Sequence, residues 1–376
     1  MRRGWASVTG TVVSASAAAF WAYALAVLQP STEPAPPVEW AENNTYWSRD
    51  LRFVALIVVV LGLVLIARGD RVRSRLAIAI AIGAGWLVAD VALDRVGVAG
   101  LPTAVLLGLV GGGVVLAFAW ALRRDEPGGV GDDGRRPLIA AAAIGATLLP
   151  VTAGIESPTD TEATLTPSTL VVAALLLAVA VGCAAAAAPP PLARRRWALV
   201  VLVCLGGAAA VALRLIQPGE RSLVGVLVCG LLVAGVALMS WDWPGGRPSP
   251  ARHALVGLGA LVGYPVLTVF TLVLTAFVLP VGRAMTALAG NPPVNAADTD
   301  ALYSLCGLVT GVVLGAVLAR IADEPFLTPP AKPSRSSPPT YTRHRAETVV
   351  RPRQHFTQVQ AGHRWDSERD LPDGPA

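Results

Sequence analysis

Long runs of apolar residues dominate this sequence and decide what it can fold into. A helix that crosses the hydrocarbon core of a bilayer needs about 20 mostly apolar residues, and ten such runs follow one another along the chain. Of the 376 residues, 54% are apolar and 15% are charged, whereas a soluble domain carries about 25% charged residues. This composition excludes a soluble enzyme and a nucleic-acid-binding module. We therefore predict an all-α, polytopic integral membrane helix bundle with spans at about 5–28, 51–67, 76–95, 101–122, 137–155, 168–188, 197–216, 222–240, 254–281 and 301–321.

The arginines predict how the bundle is oriented. With the N-terminus in the cytosol, the inner segments hold 15 Arg against six acids, and the outer loops and helix ends hold six Arg against eleven acids. The opposite orientation would break the positive-inside rule. An even number of helices returns the C-terminus to the cytosol. Lys332 is the single lysine among 30 basic residues, a bias typical of a high-GC bacterium, so we expect a bacterial plasma membrane with both termini cytosolic.

The chain divides into a bundle over 1–321 and a tail over 322–376. The tail is rich in Pro and Arg and has almost no apolar periodicity. It cannot bury enough surface to offset its chain entropy, so we expect a disordered cytosolic tail. At the other end, Arg2–Arg3 and the small residues 24–26 also fit a secretory signal. The first span is long for a signal core, and we expect an uncleaved helix.

Aromatic residues are expected at the bilayer edges, where Trp and Tyr concentrate. The outer loop 29–50 should rest its aromatics on the outer interface. The ninth span, 254–281, contains Pro265 and should kink there, because proline removes a helix hydrogen bond. The inner belt should hold Trp5, Trp120, Trp197, Trp241 and Trp243.

Charged residues within the spans are the candidate functional positions, because charge is costly inside a membrane. Asp90 lies well inside a span, 14 residues after Leu76. At 1.5 Å per residue it is about 21 Å along the helix, in the outer third of the bilayer. Arg52 and Arg214 lie near the outer ends of their spans. Two interpretations stay open: an Asp90–Arg52 or Asp90–Arg214 pair that gates an outward cavity, or a structural helix-end acid.

The last span carries the clearest packing pattern. Gly307, Gly311 and Gly315 repeat every four residues and form a flat stripe that lets another helix approach closely. The partner is either a helix of the same chain or a second copy in a homo-oligomer.

Catalytic and cofactor motifs are missing from the sequence. The lone lysine excludes a phosphate-binding Gly-Lys-Ser/Thr loop, and three of the four histidines are in the tail. The acid pairs Asp160/Glu162 and Asp298/Asp300 are candidate metal or base positions of a lipid-linked sugar transferase, but we interpret them as solvated helix starts. We predict no cofactor and no metal site. Cys183, Cys204, Cys229 and Cys306 fall inside apolar runs and are interpreted as small apolar residues.

Three function classes remain open. The first, favoured by the lack of catalytic sets and of central polar residues, is a non-catalytic membrane protein whose tail binds a cytosolic protein partner. The second is a ten-helix permease for a small or lipophilic solute. The third is an envelope enzyme that acts on a lipid-linked substrate. The lipid bilayer is the expected partner in all three, and nucleic acid in none.

Overall fold

Helices account for every regular element in the described part of the chain. The computed structural model describes residues 2–33, 43–68, 72–123, 132–155, 165–189, 192–217, 219–243, 247–293 and 301–323. Ten helical segments within these ranges are long and apolar enough to cross a membrane, so the prediction of an all-helical chain with ten such helices is confirmed. The α-helices are α1 (Arg2–Tyr23), α2 (Gln29–Thr32), α3 (Asn43–Ala67), α4 (Val72–Val96), α5 (Leu101–Arg123), α6 (Asp132–Gly154), α7 (Leu165–Ala187), α8 (Arg196–Leu215), α9 (Arg221–Ser240), α10 (Pro250–Val273), α11 (Val281–Ala289) and α12 (Leu302–Asp323).

The long helices alternate in direction. The side at which α1 begins is called the N-terminal face here, and the side at which it ends the opposite face. Ser14 on α1 donates to the carbonyl of Val59 on α3 at 3.1 Å. Near the opposite face, the amide of Gly100, just before α5, donates to the carbonyl of Ala26 at 2.7 Å. The most buried long helices are α3 and α6, so the core lies around this pair.

The predicted loop 29–50 is wrong over its second half. Helix α3 begins at Asn43, and Tyr46 and Trp47 are buried in the protein and do not reach an interface. Trp47 donates its indole N–H to Thr169 Oγ1 on α7 at 3.0 Å. Polar residues enter this helix because neighbouring segments satisfy them, which the local sequence does not reveal.

The predicted span 254–281 is wrong at its C-terminal end. Helix α10 ends at Val273 and continues as one π-helical stretch, Leu274–Val278. Pro280 then precedes a separate short helix, α11. Proline has no backbone N–H to continue the ladder, which explains the break. Pro265 lies inside α10.

The glycine stripe of α12 packs on α6. A Cβ atom built on Gly311 would lie 2.5 Å from the Ile144 Cα, and one on Gly315 would lie 2.8 Å from the Ala140 Cα. Gly307 also meets Leu148. The two helices touch in antiparallel register at four-residue intervals, within one chain.

Arginines at the N-terminal face bind the C-terminal carbonyls of neighbouring helices. Arg195 donates to the carbonyl oxygens of Met239 and Trp241 at the end of α9. Arg252 donates to the carbonyl of Ile321 near the end of α12 at 2.7 Å. The last carbonyls of a helix lack partners within it and carry its negative dipole end. These arginines therefore stabilise helix ends.

Trp241 departs from the expected aromatic belt. It is fully buried, and the Arg252 guanidinium lies 4.3 Å above its ring. The cation–π contact explains why this tryptophan turns inward. Trp120 and Trp197 are exposed as a belt requires.

All four cysteines are free thiols. Cys183, Cys229 and Cys306 are buried, and Cys204 is exposed on α8.

Candidate functional site: a lateral groove beside a buried ion cluster

An ion cluster is buried near the opposite face, centred on Arg52 of α3. The Arg52 Nε lies 3.2 Å from the Asp90 Oδ1, and its Nη2 lies 2.7 Å from the Asp94 Oδ2. Its Nη1 donates to the Gln29 Oε1. Trp21 donates its indole N–H to the same Asp90 oxygen at 2.7 Å. Asp90 and Asp94 are four residues apart, hence on one face of α4, and the planar guanidinium bridges both.

Further polar side chains extend the cluster. Gln29 donates to Glu33 at 2.7 Å and to Asp94 at 2.8 Å. Asn291, just after α11, donates to the Asp94 Oδ2 at 2.8 Å. Arg49 pairs with Glu33 at 3.0 Å. The cluster therefore joins the first span, α3, α4 and the segment after α11, and its three acids outnumber its two arginines.

A π-helical stretch places Gln29 in this cluster. The first span changes from α- to π-helix over Ala24–Leu28, and the carbonyl of Ala26 within that stretch accepts from Gly100. A π-helical turn rotates the residues that follow it, and α2 then begins at Gln29.

The structure brings together two of the three predicted polar residues. Asp90 lies with Arg52, and Arg214 lies elsewhere. Arg214 donates to the carbonyl of Ile155 at 2.6 Å, at the end of α6, and its guanidinium lies 4.5 Å above the Trp47 ring. The structure therefore places Asp90 with Arg52, and places Arg214 at a helix end.

Sequence reasoning missed six members of the cluster. The spacing of Asp90 and Asp94 is one available signal, since two acids on one face of an apolar helix repel one another and favour a bridging cation. The remaining members carry no such signal, because polar residues near helix ends are common. The missed residues are Trp21, Gln29, Glu33, Arg49, Asp94 and Asn291.

A second buried acid fixes the start of α12. The Asp50 Oδ1 accepts the backbone N–H of Ser304 at 2.9 Å and also its hydroxyl. Ser304 lies in the first turn of the helix, where backbone N–H groups lack intrahelical acceptors. Ala301 immediately precedes the helix with a positive φ of 60°. A carboxylate on α3 thus caps a helix more than 250 residues away in sequence.

An apolar groove lies next to Ser304. Its volume is about 540 Å³, within the 300–1,000 Å³ typical of ligand pockets. Among the lining residues that the structure describes, Ser304 contributes the single polar side chain. The lining comprises Phe53, Leu56, Ile57, Val60, Leu61 and Val64 of α3, Leu76, Ile80, Gly83 and Leu87 of α4, Pro137, Ala140, Ala141 and Ile144 of α6, Val281 and Met285 of α11, and Ala301, Ser304, Leu305 and Leu308 on α12 and just before it.

Helix periodicity explains the shape of the groove. Its residues on α4 recur at intervals of four, three and four, from Leu76 to Leu87, which is one helix face. Eleven residues at 1.5 Å each give a wall of about 16 Å on α4, and Pro137 near the start of α6 and Ala301 just before α12 extend the lining toward both faces. Ile80 and Leu87 are 55% and 39% exposed. The groove is therefore open sideways, where lipid would surround the protein.

Helix α11 closes the groove toward the opposite face. Val281 and Met285 point into the groove. Arg95 on α4 donates to the Leu288 carbonyl at 2.9 Å, and Asn291 binds Asp94 of the ion cluster. The ion cluster thus holds the helix that closes the groove.

The described lining of the groove favours contact with an apolar group. The groove offers apolar surface and one hydroxyl that Asp50 already engages. Within the described ranges, no group of three or more His, Cys, Asp or Glu side chains could hold a metal ion. The acid pairs at 160–162 and 298–300 lie outside those ranges.

Comparison with known proteins gives no relative. No family model, curated protein or solved structure matches this chain.

Proposed function

We propose that this chain is a multi-pass membrane protein that binds a lipophilic molecule in the lateral groove. Of the three function classes left open by the sequence, the permease for a lipophilic solute fits this site best. The observation that carries the proposal is the groove of about 540 Å³, with its almost wholly apolar lining from five helices. Each buried CH₂ group contributes about 0.8 kcal/mol when it leaves water, but lipid tails are themselves apolar. Selective occupancy must therefore come from shape and packing.

The other two classes have less support. A lipid-linked substrate would fit the same groove, but the Asp50 carboxylate that accepts the Ser304 hydroxyl also accepts the Ser304 backbone N–H, so it is engaged in capping α12. The tail expected to bind a cytosolic partner begins at 322, and all but its first two residues lie outside the described ranges.

The experiment compares two tryptophan substitutions on α4. Ile80 lines the groove and is 55% exposed, whereas Ile78 is 50% exposed on the same helix and is not part of the lining. The purified full chain is reconstituted with phosphatidylcholine that carries a diazirine in its acyl chain, and labelled peptides are mapped after irradiation. We expect label to concentrate on the groove segments of α3, α6 and α12. Ile80→Trp should remove most of it, and Ile78→Trp should leave it in place.

Two outcomes would overturn the proposal. One is label spread evenly over all exposed helices, which would mean that the label comes from nonspecific contact with the surrounding lipid. The other is equal groove labelling in Ile80→Trp and the parent protein. Gel filtration of both variants verifies that they remain folded.

A further inference from the structure

The two ends of the groove differ in charge. Toward the opposite face, Arg49 and Arg52 pair with the three acids of the ion cluster and α11 adds Arg283, so the charges nearly balance. Toward the N-terminal face, the groove ends at Leu76 and Pro137. The sequence segments 68–75 and 132–136 together hold six arginines and three aspartates, a positive surplus.

Two exposed arginines continue the groove walls by one helical turn. On α4, Arg73 precedes Leu76 by three residues and Ile80 by seven, so it belongs to the same stripe. On α6, Arg136 precedes Ala140 by four residues and stands in the corresponding position. Both arginines are exposed.

A third arginine lies at the end of α3. A narrow cleft continues from the groove past Val64, Leu76 and Pro137, and Arg68 lines its end. The cleft holds only about 10 Å³, roughly one water molecule. A head group therefore cannot enter it and must lie outside, at the rim formed by Arg68, Arg73 and Arg136. This rim is called the arginine rim below.

Helix dipoles add to this charge. Helices α4 and α6 both begin at the N-terminal face, at Val72 and Asp132. The first turn of each helix presents backbone N–H groups and a partial positive charge. Guanidinium groups bind phosphate oxygens through paired hydrogen bonds.

We propose that the groove binds an anionic phospholipid, with an acyl chain along α3 and α4 and its phosphate at the arginine rim. The lining extends from Pro137 near the N-terminal face to Ala301 near the opposite face, so an acyl chain can lie along it with its head group at the arginine rim. Basic pockets between membrane helices bind anionic head groups in this way. This inference rests on the proposed lipophilic site. It adds that the ligand is anionic and that its head group lies at the N-terminal face.

The test is a competition between two lipids in the full-length protein. Vesicles contain equal amounts of phosphatidylglycerol and phosphatidylcholine, each with a distinguishable diazirine acyl chain. We expect groove peptides of the parent protein to carry more phosphatidylglycerol label. Arg73→Gln combined with Arg136→Gln should lower that preference, by roughly fivefold for each arginine. The phosphatidylcholine label should remain.

A matched control removes the same charge elsewhere on the same face. Arg194 and Arg196 are exposed beside α8, and α8 contributes nothing to the groove lining. Arg194→Gln with Arg196→Gln should keep the preference. Arg73→Lys combined with Arg136→Lys keeps the positive charge and should keep most of the preference for phosphatidylglycerol. The single Arg73→Gln variant provides the same test, with a roughly fivefold effect, if the double variant fails to fold.

The outcomes separate this inference from the proposed function. If both lipids label the groove equally in the parent protein, the anionic ligand is wrong and lipophilic binding stands. If the Arg194/Arg196 control loses the preference as fully as the Arg73/Arg136 variant, general surface charge explains it and the arginine rim is wrong. If neither lipid labels the groove, both proposals are overturned.

Discussion

Arg52 is the residue on which the buried ion cluster depends. It is 1% exposed and pairs with Asp90 and Asp94, of which Asp90 is fully buried. Removing ions from water costs several kcal/mol each, and this cost is offset only by close pairing and additional hydrogen bonds. Trp21 and Gln29 provide such bonds. The arrangement is stable only as a complete set.

Substitutions in this cluster should lower the free energy of unfolding by different amounts. Arg52→Gln leaves both Asp90 and Asp94 buried without their cation, and should lower the free energy of unfolding by about 3–5 kcal/mol. Asp90→Asn keeps the Arg52–Asp94 pair and should cost less. Thermal unfolding of the detergent-purified variants measures both. Arg95→Gln, which removes one exposed contact to a carbonyl, is the control and should change little. The opposite order would mean that Arg52 does not hold the cluster.

The same variants separate the gating hypothesis from the structural one. If the Asp90–Arg52 pair gates access to a cavity, Asp90→Asn should change groove labelling while the protein remains folded. If the pair is structural, labelling and thermal stability should fall together. Peptide mapping and gel filtration of the same samples distinguish the two.

Part of this cluster could be predicted from the sequence. Asp90 and Arg52 stand out because they interrupt apolar runs. Arg49 and Glu33 fall in the stretch 29–50 that the sequence predicts as a loop, where charge is ordinary. Asn291 meets Asp94 across almost 200 residues, and no local pattern reports such a contact.

Among the elements, α12 packs on α6 through the glycine stripe, and the spacing of the glycines predicts such a close approach. Glycine costs about 1 kcal/mol in a helix relative to alanine, so three of them at four-residue spacing indicate a close neighbour. The identity of that neighbour was open, because several helices present small residues. Ala140 and Ile144 on α6 fill that role within the chain, which removes the need for a second copy at this stripe.

A bulky residue in the stripe should separate these two helices. Gly311→Leu places a side chain where a Cβ alone would meet the Ile144 Cα at 2.5 Å, and overpacking costs about 1–3 kcal/mol or more. We expect a lower yield and a lower melting temperature in detergent. Gly112→Leu on α5 is the matched control, because nothing lies within 4 Å of a Cβ there. It should be neutral or stabilising, since leucine is the better helix former. Equal stability of the two variants would contradict the observed packing.

At the scale of the whole molecule, the sequence predicts the number of helices but does not predict the groove. An apolar run predicts a helix because the pattern lies within one continuous stretch of sequence. The groove depends on Phe53, Leu76, Pro137, Val281 and Ala301 meeting from five distant segments. Within one helix, its lining residues resemble any lipid-facing stripe. Sequence periodicity alone therefore cannot distinguish a binding wall from an ordinary surface.

The tail should be dispensable for the bundle. Residues 326–376 lack an apolar face that could dock, so their deletion should leave detergent-extracted yield and gel-filtration behaviour unchanged. A defect confined to partner binding or localisation would support the first function class. Aggregation of the truncated protein would show that the tail contributes to the fold.

The orientation of the bundle is the broadest prediction. Arginines at the N-terminal face outnumber acids 15 to six in the flanking segments, and the structure uses several of them to bind helix-end carbonyls. Those contacts would exist in either orientation, but the positive-inside rule favours this face in the cytosol. Reporter fusions after Arg75, Arg136, Arg196 and Arg252 should therefore behave as cytosolic, and fusions within 156–164 as external. Because each fusion reports one loop, a single discordant site would indicate a local error. Reversal at two or more sites would contradict the ten-helix topology, and reversal at all of them would place the arginine rim on the outer side of the membrane.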